Sequence, residues 1–235
     1  MAFPELNKSE LYSILKKNYI SFGILIAEMM SVPYASQEEV CDKFDIDEAQ
    51  IKNDFIDEKG IILYAAHFGN WELGGIAVGI VLNKPVFVLA KPQRNQYVTD
   101  WLRDMREKFG NKSVMLGASV RELYSLLKKG NIVGIVGDQR GPKEGMRVNF
   151  FGKETAVYTG TAEIGMKTKS KVMVTFAVRQ KDYRYKLETE ELVYDNPEGK
   201  ESAVREFNQR YYEILEKYTR KYPEQWFWMH KIWKY

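Results

Sequence analysis

From Lys59-Gly60 onward the chain alternates short, uninterrupted apolar runs with longer amphipathic segments, and this pattern restricts the fold more than any other feature. Ile61–Ala66, Pro85–Ala90, Ser113–Leu116, Ile132–Val136 and Lys171–Val178 read as strands. Between them, Asn70–Leu82, Asn95–Phe109, Ser119–Lys129 and Tyr158–Lys169 read as helices. Strands that are apolar on both faces, most of them followed by a helix, demand a sheet buried on both sides. The expected fold is therefore α/β, a mostly parallel central sheet flanked by helices. Reactive groups in such sheets gather beyond the carboxyl ends of strands, which directs attention to the residues after Ala66, Ala90 and Val136.

The two ends differ from this middle. Residues 1–58 read as a helical segment packed on the core, with Leu11, Ile14, Leu15, Tyr19 and Phe22 at helical spacing and Ser36-Gln37-Glu38-Glu39 in the form of a capping box. Residues 59–235 form the main domain. Within it, Tyr185–Val193 suits an antiparallel edge strand, Asp195-Asn196-Pro197-Glu198-Gly199 a turn, and Lys200–Tyr222 a long helix stopped by Pro223.

Composition narrows the chemistry. One cysteine, Cys41, forbids an internal disulfide, and with only His67 and His230 as histidines a closed zinc site is not expected. No run reaches the ~20 apolar residues that cross a bilayer, because the best stretch, Tyr19 to Tyr34, contains Gly23, Glu28 and Pro33. The net charge of +3 does not suggest nucleic acid. Its distribution is uneven: residues 1–58 hold five lysines against twelve acids, so the remainder is basic and suited to anionic partners.

After the first strand the chain reads His67-Phe68-Gly69-Asn70-Trp71-Glu72. On one regular helix the imidazole and carboxylate would diverge by about 140°, so they meet only if Gly69-Asn70 forms a turn first. A carboxylate on one ring nitrogen fixes the tautomer and stabilises the imidazolium, making the other nitrogen a general base. The alternative is that His67 closes a strand and Glu72 is a solvated helix residue.

His67 through Glu72 resembles the His-x4-Glu/Asp motif of the late acyltransferases of lipid A biosynthesis. Lys91-Pro92-Gln93-Arg94-Asn95, Gly137-Asp138-Gln139-Arg140-Gly141-Pro142, Phe150-Phe151-Gly152 and Thr159-Gly160-Thr161-Ala162 are similar to further segments of that family, in order. The closing Pro223-Glu224-Gln225-Trp226-Phe227-Trp228-Met229-His230-Lys231 resembles its C-terminal signature. The resemblance implies a glycerolipid-acyltransferase-like fold that moves a fatty acyl group from an acyl-carrier-protein thioester to a hydroxyl of a lipid A precursor. His67 is then the base, oriented by Glu72. Lys91, Arg94, Asn95, Asp138, Gln139 and Arg140 bind substrate. No metal or resident cofactor is implied; an acyl-carrier-protein or coenzyme A thioester is a co-substrate. The implied partners are the carrier protein, a glycolipid acceptor and a membrane surface, with no nucleic acid. The implied location is the cytoplasmic face of a bacterial inner membrane. Family members normally begin with a transmembrane helix, so peripheral attachment is expected for the chain as given. No Glu-Gly-Thr-Arg tetrapeptide occurs, which favours lipid A chemistry over phosphatidic acid synthesis. The alternatives are another glycolipid or phospholipid acceptor, or a lipid-binding protein that keeps the fold without turnover.

The last 36 residues hold ten of the 32 aromatics, about twice the share an even distribution would give. Beside Lys231 and Lys234, Trp226 and Trp233 suit a headgroup interface; the alternative is that they pack the terminal helix on the core. His230 reads as a hydrogen-bonded structural residue rather than a second base.

Overall fold

The computed structural model describes residues 2–57, 59–117, 120–194 and 201–234. The turn expected at Asp195–Gly199 lies outside these residues, as do Lys200, Ser119 and Tyr235.

Three helices and a short strand come first: α1 (Lys8–Ser31), α2 (Gln37–Cys41), β1 (Phe44–Asp45) and α3 (Glu48–Asp54). Their starts are set by side chains that satisfy the free N–H groups of a first turn. Asn7 and Glu10 form a reciprocal capping box on α1, and Ser36 and Glu39 form the one expected on α2. The middle then alternates as β2 (Ile61–Gly69), α4 (Trp71–Leu82), β3 (Val86–Ala90), α5 (Gln96–Glu107), β4 (Lys112–Met115), α6 (Val120–Lys128) and β5 (Ile132–Val136). A hairpin, β6 (Arg147–Phe150) and β7 (Lys153–Ala156), precedes α7 (Gly160–Thr168), β8 (Lys171–Arg179), β9 (Tyr185–Glu191) and α8 (Glu201–Lys221).

Seven strands form one sheet in the order β1-β9-β8-β2-β5-β3-β4. All neighbours run parallel except β8 and β9. The period-two geometry of β2 serves two cores at once. Ile62, Tyr64, Ala66 and Phe68 enter one cluster with residues of α6, α7 and α8; Ile61, Leu63 and Ala65 enter the other with residues of α1 to α5. Hence the apolar runs lack alternation.

Three differences from the sequence reading have physical causes. The segment before residue 58 is not wholly helical, because Phe44–Asp45 pairs in parallel with Tyr185–Lys186. That pairing places β9 one strand in from the edge. The β6–β7 hairpin was not anticipated either: its two-residue turn, Phe151-Gly152, has φ of 54° and 70°, the left-handed pair such turns need, but Phe replaces the usual Asn or Asp.

Candidate active site

The crevice follows from the connections. After β2 the chain leaves through α4 toward one face, and after β5 it leaves toward α7 on the other. Adjacent parallel strands whose continuations part in this way open a cleft at their carboxyl ends. His67 lies at the end of β2 and Asp138 two residues past β5, side by side at that carboxyl edge.

The end of β2 is irregular. It keeps register with β8 up to Ala65 opposite Thr175 and regains it at Gly69 opposite Ala177, four steps against two. The bulge re-aims the strand. In this stretch β2 pairs with the C-terminal segment: Phe68 bridges Trp226, Phe227 N donates to His67 O at 2.9 Å, and Gly69 N donates to Gln225 O at 2.9 Å. This far-off partner extends β2 three residues past Ala66. Gly69 has φ +58°, and a Cβ there would fall 1.8 Å from Ala177 O, so no other residue fits without moving the strand. Asn70 then caps α4, accepting from Leu73 N at 3.1 Å and donating to Glu28 Oε2 at 2.8 Å.

His67 and Asp138 are joined directly. His67 Nδ1 lies 2.7 Å from Asp138 Oδ1, and His67 N donates to Asp138 Oδ2 at 3.0 Å. Trp226 Nε1 donates to the same Oδ2 at 2.8 Å. Asp138 is fully buried, and three donors surround its carboxylate. Burial opposes its ionisation, but the His67 charge and hydrogen bond, then His230 and the Trp226 indole, hold its pKa below the usual carboxylate value. At His67, burial opposes the imidazolium, yet Asp138 by charge and hydrogen bond, with Glu72 further out, raises the pKa above its ordinary value. Arg106 works against that rise. With Nδ1 engaged by a carboxylate, Nε2 is the nitrogen left to accept a proton.

The expected hydrogen bond between His67 and Glu72 is absent. Glu72 instead takes a bidentate pair from Arg106 of α5, Nε to Oε2 at 2.7 Å and Nη2 to Oε1 at 2.5 Å, with both side chains largely buried. The cause is geometric: Glu72 is in the first turn of α4, while the Nδ1 side of His67 faces the loop after the adjacent strand, β5. Glu72 therefore acts on His67 through charge, and Asp138 is the bonded carboxylate.

The other expected residues fall into two groups. Lys91 and Arg94 are exposed on the loop after β3, at the same sheet edge, and Asn95 caps α5 by accepting from Tyr97 N at 2.9 Å. Gln139 is exposed beside Asp138, and Arg140 Nη1 donates to Lys231 O at 2.7 Å, tying the loop after β5 to the C-terminal segment. Gly137, before Asp138, packs so tightly on Tyr64 that a Cβ would come within 2.0 Å of its ring.

Trp226 is core, and Trp233 is half-buried against it. Trp226 has no exposed surface, and Trp233 packs against Phe150 with ring centroids 5.7 Å apart. The interfacial reading of these two residues is replaced by the packing one. His230 also departs from expectation. Its ring stands edge-on to that of His67 at 4.7 Å, and among the described residues its Nε2 has no hydrogen-bond partner. Burial lowers its pKa, Asp138 opposes that, and His67 adds to it, so the His230 imidazole is held toward neutrality. Trp71 completes the wall, 4.8 Å from His67. Arg106, Trp226 and His230 carried no local signal of these roles; only the ordered C-terminal signature marked the last two.

His67, Asp138 and His230 offer ligand atoms within 4.8 Å of one another. A cation there would have to displace the hydrogen bond that joins the first two. The arrangement is better suited to moving a proton: a buried carboxylate, an imidazole bonded to it through one ring nitrogen, and the second ring nitrogen left to accept.

The chain is 25% identical to the lipid A biosynthesis palmitoleoyltransferase of Escherichia coli over 238 residues, covering all of this chain and 76% of that protein. It is 25% identical to a lipid A biosynthesis acyltransferase of Shigella flexneri and 24% identical to the E. coli lauroyltransferase, again over the whole chain and 76% of each relative. Since the profile described as "Bacterial lipid A biosynthesis acyltransferase" matches residues 1–235, the chain belongs to that family of acyltransferases.

Proposed function

We propose that the protein transfers a fatty acyl group from a thioester of acyl-carrier protein to a hydroxyl of a lipid A precursor, at the cytoplasmic face of a bacterial inner membrane. The observation that carries the reading is the bond between His67 Nδ1 and buried Asp138 in the switch-point cleft. His67 Nε2 takes the proton of the acceptor hydroxyl while Asp138 stabilises the imidazolium. The oxygen attacks the thioester carbonyl, a tetrahedral oxyanion forms and collapses, the carbon–sulfur bond breaks, and the imidazolium returns its proton to the departing thiolate. No covalent enzyme intermediate is needed.

Asp138 takes the orienting role first assigned to Glu72. Glu72, held by Arg106, adds negative potential near the imidazole. Exposed Lys91 and Arg94 are suited to the phosphates of a lipid A precursor or of the donor's phosphopantetheine arm. The basic body favours an acidic carrier protein as donor partner.

The test is direct. Purified protein is incubated with acyl-carrier-protein or coenzyme A thioesters and a lipid A precursor, and products are read by mass spectrometry. Acyl ester formation that disappears in His67→Ala supports the reading. Donor consumption without an acylated acceptor, or undiminished product in folded His67→Ala, overturns it. Bound lipid without turnover would favour a lipid-binding role for the same fold.

A further inference from the structure

Three rings stand against that of His67, with centroids at 4.7 Å for His230, 4.8 Å for Trp71 and 6.2 Å for Phe227. The place of His230 is fixed from both members of the pair it borders. Phe227 N donates to His67 O at 2.9 Å, and His230 N donates to Phe227 O at 3.4 Å, so the turn that presents His230 starts from the backbone of His67. From the other side Arg140, two residues after Asp138, donates to Lys231 O at 2.7 Å. A group held by the same elements that hold the reactive pair is preorganised with it. Packing alone does not call for a histidine here. Its ring meets Phe227 edge-on at 4.8 Å, as it meets His67, and a phenyl ring would serve both contacts. Its Nε2, moreover, is buried with no hydrogen-bond partner among the described residues, which costs stability. An unpaired polar atom of this kind in a native site needs a reason, and a role in catalysis is one.

We propose that His230 is a further catalytic residue, a neutral imidazole that donates its N–H to the oxyanion formed on the acyl carbon while His67 takes the proton of the acceptor. One ring nitrogen of each histidine and one oxygen of Asp138 lie within 4.8 Å of one another. A single substrate oxygen spans that separation with hydrogen bonds of ~2.8 Å to two such groups. A neutral imidazole has one N–H to give, and it gives it without carrying charge. That property matters because His67 becomes positive in the same step. A lysine, an arginine or a second imidazolium at this position would oppose the new charge, whereas a neutral donor stabilises the oxygen without repelling the imidazolium. The surroundings keep it so: burial lowers the His230 pKa, Asp138 opposes that, and His67 adds to it.

No proton leaves His230 in this step. As the acceptor oxygen bonds to the acyl carbon, the electron pair of the carbonyl moves onto its oxygen, and the hydrogen bond from His230 strengthens. When the carbonyl re-forms and the carbon–sulfur bond breaks, the bond weakens again, and the proton held by His67 goes to the thiolate. An interaction stronger in the transition state than in the ground state raises turnover rather than affinity. The inference rests on the acyl transfer proposed above and names the donor that its oxyanion requires.

Two variants of the full chain separate donation from packing: His230→Gln keeps an N–H without the ring, and His230→Phe keeps a ring without an N–H. Transfer from an acyl-carrier-protein thioester to a lipid A precursor is followed by mass spectrometry. His230→Phe should lower kcat about a hundredfold or more with KM near that of wild type, and His230→Gln should keep at least about tenfold more turnover than His230→Phe. Turnover in His230→Phe equal to or above that of His230→Gln overturns the inference and assigns His230 to packing. So does a raised KM with unchanged kcat in His230→Phe, which would place the residue in ground-state binding. A second measurement needs no turnover. The monomethyl ester of dodecylphosphonate is a tetrahedral anion that stands in for the oxyanion, and its binding is read by calorimetry. Wild type and His230→Gln should bind it at least about tenfold more tightly than His230→Phe. Equal binding by all three, or none by wild type, overturns the inference. Binding that depends on the His230 N–H in a protein that transfers no acyl group would uphold the donor and overturn the proposed function, so the two readings fail separately.

Discussion

Trp226 donates its indole N–H to Asp138 at 2.8 Å, across 88 residues of sequence, and so makes the C-terminal segment part of the candidate site. The same segment pairs with the bulged end of β2 through Phe68 and His67, and Arg140 fastens it from the loop after β5. His67, Asp138 and the C-terminal segment are thereby positioned by one another. Each can be tested through the protonation of His67.

Asp138→Asn should lower turnover about a hundredfold or more, because the base loses the group that orients it and stabilises its charge. Asp138 also raises the His67 pKa, so its loss lets the imidazole stay neutral to lower pH. The acid limb of the pH–rate profile should move down in pH while the plateau falls. An unmoved limb with a normal plateau would remove Asp138 from the mechanism.

Glu72→Gln should act first on stability. It leaves the largely buried Arg106 guanidinium without its carboxylate, a loss of about 3–5 kcal/mol for pairs of this kind. Glu72→Gln/Arg106→Met should melt higher than Glu72→Gln alone, because it removes the orphaned charge. The pH profile of Glu72→Gln should shift less than that of Asp138→Asn. If it shifts more, Glu72 is the dominant carboxylate after all.

Trp226→Phe keeps the ring in the core but removes a hydrogen bond to a charged acceptor, worth about 1.5–3 kcal/mol. The expected result is a lower melting temperature and reduced turnover with vesicle binding unchanged. Trp226→Ser should instead cause cooperative unfolding at much lower temperature. Vesicle binding lost from a fully stable Trp226→Ser would restore the interfacial role that its burial argues against.

The sheet was legible where a single strand carries its own signal. Ile132–Val136 is read from sequence with its bounds unchanged, because a buried parallel strand is a bare apolar run. Features that depend on a distant partner were not legible. β2 outlasts Ala66 because residues 225–227 pair with it, and Phe44–Asp45 is a strand because Tyr185–Lys186 lies beside it. The site divides in the same way. His67 was marked by its motif, but a motif spacing names neighbours in sequence, and the bonded carboxylate comes from the next strand. Of the residues at helical spacing on α1, Leu11 and Phe22 pack against the body whereas Leu15 and Tyr19 face outward, a division that depends on what the helix meets there.

The pH dependence of stability tests which influence prevails at His67. Burial alone would push its pKa down, and the Asp138 carboxylate pushes it up; the net direction is up. A group whose folded pKa exceeds its unfolded value stabilises fully below the unfolded value, near ~6.5 for histidine, and loses that contribution as pH rises through the folded value. Asp138 has the opposite sign: its pKa is lowered, so its contribution is present above the unfolded value, near ~3.9, and is lost as pH falls through the folded one. The two windows overlap between about pH 4 and 6.5. The melting temperature of wild type should therefore exceed that of His67→Gln, which can still donate to Asp138 but carries no charge, by the largest margin in that range. The margin should shrink as pH rises through the folded-state pKa of His67, toward the value a neutral hydrogen bond supplies. A margin that grows toward alkaline pH would mean that burial outweighs Asp138, that His67 is held neutral throughout, and that its imidazolium gains no support from the carboxylate beside it.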